Sequence, residues 1–519
     1  MGSSGGFALF QTEPSSYFYD GNAKLLWEPS DQDKVSLSLY LGRDVVDNSR
    51  SLDIPEELQQ RMAERGFEPP DSLDLSDTRE WNNRGTGLEW RRSWGRGIET
   101  RASLGYSSFK DLNGRASQAS QNESGNQEDN DLSDATARIE MTAPLRETNV
   151  LEVGLVATRN NISYSFENNS TAQLRPDFAD TEAPDRPLVG GFLDRDQQAS
   201  QYSGYVLDRW TLGKVTFSPG LRFTRYDATS QTFAEPRVSA QAQLTDRFMI
   251  KGAWGVQHQF ANRISREDVE TGDQEFWTLS DGTDVPVARA RQGAVGMSYE
   301  THGFLVDVEG FDKQLDGLAL FAPQFGPPPD SDQGVPDLQS FFYQGEETAR
   351  GVEVLVQKKF GSHTGWLSYT INKVQDRFPE LQAEPFAASQ DQRHEVKLVD
   401  SLRRGPWTFS GAFVLASGAP YTEATEVEST SIGEEFVFDR LVSGTRHAAR
   451  LPGYQRLDLA VHYELQIGPG KGTLGVSGFN VYNHTNVWYR EFQVVQGEIV
   501  ANDVVLMGRT INAFFNLKF

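Results

Sequence analysis

Hydrophobic and polar residues alternate with a period of two along most of this chain. Leu457, Leu459, Val461, Tyr463, Leu465 and Ile467 form one set, and Arg456, Asp458, His462, Glu464 and Gln466 fall between them. Val35, Leu37, Leu39 and Leu41 alternate in the same way with Ser36, Ser38, Tyr40 and Gly42. The last residues repeat the pattern, with Ile511, Ala513, Phe515, Leu517 and Phe519 set against Asn512, Phe514, Asn516 and Lys518. Successive side chains of a strand point to opposite faces, so each segment predicts a strand with one apolar and one polar face. About nineteen such segments can be placed, from 17–27 and 34–43 at the start to 452–467, 472–485 and 505–519 at the end. No long segment shows a helical period, and residues 55–65 read as a short helix inside a loop.

The connections alternate between short and long. Short ones fall at 28–34, 94–97, 144–148, 212–214, 245–247, 300–303, 360–363, 403–406 and 468–472. Long ones cover roughly 44–79, 109–132, 161–199, 261–284, 315–341, 375–390, 418–451 and 486–504, with 228–232 the one short exception. A meander with turns at one end and long loops at the other is the layout of an outer-membrane barrel. The charged alternate positions agree, because Arg or Lys facing lipid at the midplane costs about 2–4 kcal/mol and belongs in a hydrated lumen. A propeller would repeat every 40–50 residues or so, and no such self-similarity is present.

Composition narrows the picture. Hydrophobic residues make up 37% of the 519, mean hydropathy is −0.53 and no run of 18 apolar residues occurs, which excludes a membrane-spanning helix but not a barrel. With 47 Gly, 32 Phe and 16 Tyr, the chain suits tight turns and aromatic girdles. It has no Cys, which excludes a disulfide scaffold or thiolate metal site. The net charge of −24 argues against a nucleic-acid partner and fits solvated acidic loops. The N-terminal Met1-Gly-Ser-Ser-Gly-Gly6 carries no basic and apolar leader, so an exported form is expected to have lost one.

Several ordered motifs resemble the barrels of TonB-dependent outer-membrane receptors. They are Tyr17-Phe-Tyr19-Asp20 before Lys24-Leu25, Asp208-Arg-Trp210 before Pro219-Gly-Leu-Arg222, Glu235-Pro-Arg237 before Lys251-Gly-Ala-Trp254, and Ala349-Arg-Gly351 before Gly365-Trp-Leu-Ser-Tyr369. Asp391-Gln-Arg393-His394 before Ser417-Gly-Ala-Pro420-Tyr421, Tyr454-Gln-Arg456-Leu-Asp458 and Asn480-Val-Tyr-Asn483-His-Thr-Asn486 complete the series. The resemblance implies an all-β, transmembrane antiparallel barrel of the 22-strand, plugged type, of which about nineteen strands are present here. Residues 1–16 would be an N-terminal tail or loop remnant and 17–519 the barrel. The plug and about three strands are expected to lie upstream of Met1, leaving an open or distorted seam between the first and last strands, or one filled by a partner segment.

The same resemblance implies a bacterial outer-membrane protein that imports a scarce nutrient (siderophore, vitamin, glycan or peptide), not an enzyme, and with no cofactor. Its partners would be outer-membrane lipid, TonB through an N-terminal region, the barrel-assembly machinery, the nutrient ligand and a surface lipoprotein. A passive porin or adhesin-type barrel, or a soluble all-β carbohydrate-active protein, remains the alternative. Arg393, His394, Tyr421 and Arg456 fall near the outer ends of their strands and are candidate ligand contacts, although the same positions suit holding loops or meeting a plug. Phe515 and the terminal Phe519 are candidates for a barrel-assembly signal. Asn480, Asn483 and Asn486 are expected to order the last outer loop. Glu128, Asp129, Asp131 and Asp134 could gather calcium on a loop, but their spacing is not that of an EF-hand and a solvated segment is the simpler reading. No metal site is assigned: the seven His have no paired spacing. Gly468-Pro-Gly-Lys471-Gly-Thr473 lacks the phosphate-loop spacing and reads as a turn.

Overall fold

The computed structural model describes residues 8–12, 14–64, 72–119, 122–171, 173–174, 188–266, 274–322, 341–432, 436–495 and 497–518. Nineteen strands form a continuous meander. They are β1 (Ser15–Ser30), β2 (Asp33–Asp47), β3 (Ser72–Gly95), β4 (Ile98–Ala119), β5 (Asn122–Arg146), β6 (Asn149–Thr171), β7 (Leu188–Leu212), β8 (Val215–Tyr226), β9 (Gln231–Gln243) and β10 (Phe248–Gln259). There follow β11 (Ala288–Thr301), β12 (Phe304–Phe321), β13 (Phe342–Lys358), β14 (His363–Arg377), β15 (His394–Arg404), β16 (Trp407–Ala416), β17 (Tyr454–Ile467), β18 (Gly470–Phe479) and β19 (Thr510–Lys518). Each pairs antiparallel with its neighbours in sequence, as the short/long alternation predicts.

The registers sort side chains onto two faces. Leu104 lies opposite Leu88 and Ala137, and Leu155 opposite Ile139 and Gly204. On the other side of the barrel, Val461 lies between Phe409 and Val476, and Tyr463 between Trp407 and Leu474. The alternate face carries Arg456, Asp458, His462 and Glu464. A hairpin from an outer loop, Ala261–Arg266 with Gln274–Leu279, fixes which face is inside. It bonds to Asn130 of β5 and also adds to β12 at Leu320–Phe321, so it reaches across the concave side, and the face it meets is the polar one. The apolar face therefore points outwards, where Leu155 is 64% and Val295 70% exposed. Contiguous exposed apolar surface on this scale is unusual in water and is what a hydrocarbon belt requires.

Short turns close the other end. Gly213 and Gly405 both sit at φ +60°, in the left-handed region that lets a two-residue turn follow the twist of its strands. The expected short helix is present as α1 (Glu56–Glu64), with Leu58 and Met62 buried.

Two expected loops are largely strand. β4 and β5 run through 109–132, and β6 and β7 take much of 161–199. Crossing the hydrocarbon takes about 9–11 residues of a tilted strand, whereas β5 and β7 have 25 each. The surplus stands above the belt, where both faces meet water or loops, so the apolar half of the alternation fades. The same extension divides the four candidate calcium ligands between two faces. Asp129 and Asp131 pair outside with Lys110, while Glu128 and Asp134 turn inward. No group of carboxylates placed to hold a metal occurs among the described residues.

The barrel closes in an unusual way. No backbone ladder joins β1 to β19 among the described residues, and an odd number of strands makes the two run in the same direction. Their outer ends are bridged instead. Ala8–Thr12, just before β1, pairs in parallel with Glu498–Val505, just before β19. Packing secures this bridge, because Leu58 and Met62 of α1 form one core with Leu73, Leu75, Val495 and Val500.

Candidate functional site

Above the belt, the inward face of β3–β5 and the folded outer loops line a partly open cavity of about 420 Å³ at the mouth of the barrel. Period two sets the strand contributions, since Asp77, Arg79 and Trp81 share one face of β3, and Asn113 and Arg115 the matching face of β4. The 261–279 hairpin adds Arg263, Gln274 and Glu275, and the last outer loop adds Trp488, Tyr489 and Arg490.

The hairpin is held rigidly. Glu128 accepts from Tyr164 at 2.6 Å and from Arg266 at 3.1 and 3.2 Å, all three side chains being buried. Asn130 bonds both the carbonyl (3.0 Å) and the amide (2.7 Å) of Trp277, and Tyr226 donates to the carbonyl of Ser280 at 2.8 Å. Tyr164 stacks on Phe276 with centroids 3.8 Å apart. Buried polar groups satisfied this completely fix one arrangement.

Every arginine of the cavity wall is matched by an acid. Arg79 donates to both oxygens of Asp111 (3.0 and 2.6 Å) and to Gln274 (2.6 Å). Arg490 is bidentate on Asp503 (2.6 and 2.9 Å) and also reaches the Tyr421 hydroxyl at 3.0 Å. Arg263 pairs with Glu275 at 2.8 Å. Arg115 meets Glu491 at 2.9 Å, and Arg50, behind it, contacts the other oxygen of the same carboxylate. Asp77 lies 3.7 Å from Arg50 and 3.9 Å from Arg115. Burial and the neighbouring Arg115 pull Arg50 down to about 10, which leaves it charged at neutral pH. Burial lifts the Tyr489 phenol to about 12, so it stays neutral.

Of the four sequence candidates, Tyr421 lines this cavity and the other three do not. Arg393 contacts Asp391 at 3.3 Å. Asp391 is fully buried and also accepts from Arg450 (2.5 Å) and the Val374 amide (2.8 Å). Burial alone would raise its pKa, but those donors hold it below the usual carboxylate range. His394 falls on the outward face of β15 with Val396 and Leu398, and its Nδ1 lies 2.9 Å from the Tyr369 hydroxyl. Arg456 faces inward, bonds Asp458 and Tyr454, and lies over the Phe479 ring at 4.4 Å. Asn480 accepts from the His484 amide, Asn483 from the Arg509 amide and Asn486 from the Gln455 amide, so the three order the last outer turn. Phe515 is on the outward face of β19 and 56% exposed, and Phe519 lies outside the described residues. The cavity's other members were missed because they lie hundreds of residues apart. Their one local signal was Arg79 and Trp81 at alternate positions at the outer end of a strand.

The family described as TonB dependent receptor-like, beta-barrel is matched over residues 21–483. The chain belongs to this family. Its barrel is therefore an outer-membrane one, and the family is one of transport receptors. In shape, the chain is similar to the ferric preacinetobactin receptor BauA of Acinetobacter baumannii, with 13% identity, a TM-score of 0.57, and coverage of 97% of this chain and 73% of that one. It is similar to the ferric citrate transporter FecA in its unliganded form at 13% identity and a TM-score of 0.60, covering 98% and 71%. The ferripyoverdine receptor of Pseudomonas aeruginosa shares 11% identity at a TM-score of 0.58, covering 98% and 66%. At these identities the likeness is one of fold. Comparison with curated protein sequences finds no match.

The buried Glu491 holds two guanidiniums together. Glu491→Gln is expected to destabilise the outer rim by about 3–5 kcal/mol, the range for breaking a buried ion pair. Protease cleavage within 486–509 should then begin at a markedly lower urea concentration while the membrane strands stay protected. An unchanged cleavage midpoint would show that this carboxylate does not hold the rim.

Proposed function

We propose that this chain is the barrel of an active outer-membrane importer. A scarce nutrient binds in the mouth cavity beside Tyr421, Trp81 and Trp488 and passes through the lumen when TonB supplies energy from the inner membrane. The observation that carries this reading is the partly open cavity, lined by polar and aromatic residues, at the outer end of the barrel. Mid-barrel, the inward wall is charged and paired, as where Lys251 meets Asp307 and Glu309 at 3.1 and 3.0 Å, which suits passage of a polar solute. A hairpin bonded into the mouth disfavours the passive-porin reading, and the outward apolar belt disfavours a soluble carbohydrate-active protein. Arg393, His394 and Arg456 act in loop and strand order on this reading, and Tyr421 is the ligand contact among the four. A surface lipoprotein would dock over the outer loops.

Uptake tests the reading directly. Cells with and without the gene are compared for accumulation of labelled ferric citrate and labelled neutral oligosaccharides. Gene-dependent accumulation that stops when a protonophore collapses the proton gradient is expected. Gene-dependent uptake that survives the protonophore, or no gene-dependent uptake of any probe, contradicts active import.

The last strand carries a second proposal, recruitment of the barrel-assembly machinery by Phe515, on the apolar outward face of β19, together with Phe519. Deleting Phe519, or changing Phe515 to Ser, should lower the amount of heat-modifiable barrel in outer membranes several-fold. Wild-type amounts in both variants would exclude the role.

A further inference from the structure

The outward face of β10–β14 has a depression in it. Gly293 and Gly310 are diagonal neighbours on β11 and β12, since Gly293 lies opposite Asp312 and Gly310 opposite Val295. A Cβ on Gly310 would meet nothing closer than a backbone oxygen at 3.9 Å, and one on Gly293 nothing closer than the Trp254 side chain at 3.6 Å, so the space above both is open. Trp254 and Val295 stand along one side of this floor and Val352 and Ile371 along the other, with exposures of 47%, 70%, 42% and 39%. They leave a shallow groove of about 850 Å³. A slot of this kind lets an acyl chain touch the wall on several sides at once, where a flat wall offers it one.

The outer end of the groove is cationic. Arg350, Lys373 and Arg393 line it, and Asp312 is the one acid in its lining. The Asn372 amide bonds the Arg393 carbonyl at 3.2 Å, which sets Arg393 beside Lys373. Lys373 forms no ion pair among the described residues. Arg350 pairs with Asp312 and still keeps 66% of its side chain exposed. Arg393 shares the buried Asp391 with Arg450, and the two side chains stay 39% and 37% exposed. Four cations (Arg350, Lys373, Arg393, Arg450) therefore face two carboxylates (Asp312, Asp391), in a chain whose net charge is −24. The next acids up these strands are matched already, because Glu346 lies opposite Arg377 and Asp316 accepts from Arg291 at 3.0 Å. The height is that of headgroups. Arg350 lies eight residues up β13 from Lys358, or about 20 Å at about 3.3 Å per residue and a tilt of about 40°, close to the outer border of a belt roughly 25 Å tall. Long basic side chains at that border lay their stems on apolar surface and hold their charge among the headgroups.

We infer that this groove is a binding site for a phosphorylated lipid of the outer leaflet, with an acyl chain over Gly293 and Gly310 and a phosphate held by Arg350, Lys373 and Arg393. Guanidinium and ammonium groups bind phosphate through charge-assisted hydrogen bonds, and several of them around one headgroup favour an anionic lipid over a zwitterionic one. The inference rests on the membrane barrel alone and is independent of what the barrel transports.

The test takes the full chain from outer membranes in mild detergent, exchanges it against equal amounts of diphosphoryl lipid A and phosphatidylethanolamine, and counts the lipid retained per barrel by native mass spectrometry. Diphosphoryl lipid A should be retained in clear preference, and an excess of inorganic phosphate should leave it in place, because free phosphate cannot fill the groove. Changing Arg350→Gln and Lys373→Gln together should lower retention about tenfold, the order expected for two basic residues at a membrane surface. Gly310→Leu fills the groove with the charges intact and should lower retention several-fold. Lys359→Gln, at the opposite rim, should retain lipid as wild type does. Heat-modifiability confirms that each variant is an assembled barrel. Equal retention of phosphatidylethanolamine, displacement by phosphate, wild-type retention in either groove variant, or an equal loss in Lys359→Gln would each overturn the inference.

Discussion

In hydrocarbon there is no water to bond a stray backbone group, and each unpaired N–H or C=O costs several kcal/mol. The rest of the structure follows from that constraint. It demands neighbour-to-neighbour ladders through the whole belt, and nineteen strands supply them. Once the ladders are made, side chains can fall only on two faces, and lipid takes the apolar one. Val461 and Tyr463 then have to face out between Phe409, Trp407, Val476 and Leu474, and His462 and Glu464 have to face in. The constraint bears hardest at the seam between β1 and β19, where no ladder is described and the outer ends are tied by the parallel pairing of Ala8–Thr12 with Glu498–Val505.

Above the belt the constraint relaxes and a different economy takes over. Strands β3–β7 continue into water, and their inward face becomes a scaffold for loops. The 261–279 hairpin is bonded to it through Glu128, Asn130 and Tyr226, and α1 packs against the bridge of the seam. Buried ion pairs such as Arg115–Glu491 and Arg490–Asp503 add little net stability over apolar packing, but each permits only one arrangement of the loops that carry it. The result is a pocket whose guanidiniums are each paired with an acid, with Trp488 half-exposed among its lining residues.

The strands of the belt were legible because lipid and water sort residues by position with a period of two. The terminal strand shows this well, since Ile511, Ala513, Phe515 and Leu517 share the outward register and Asn512, Asn516 and Lys518 the inward one. The outer parts of β4–β7 were not legible as strand, because Ser, Asn and Asp stand on both faces there and the alternation has nothing to sort. Loop anchors were partly legible. Asn480, Asn483 and Asn486 order their turn as their spacing suggested, and Asp391 beside Arg393 is a buried tie. The cavity was legible only at Tyr421. Its other walls include Asp77, Arg79, Arg115, Arg263, Gln274 and Trp488, and nothing local marks their segments as neighbours.

The outward and inward faces can be measured one residue at a time in a bilayer. Spin labels placed singly at positions 457–465 would be read for collision with oxygen, which concentrates in lipid, and with a water-soluble nickel chelate. Labels at Leu457, Leu459, Val461, Tyr463 and Leu465 should be oxygen-accessible, and those at Asp458, Ala460, His462 and Glu464 chelate-accessible, in strict alternation. An accessibility profile without period two, or one with Glu464 on the lipid side and Leu465 in water, would contradict a membrane barrel in this register.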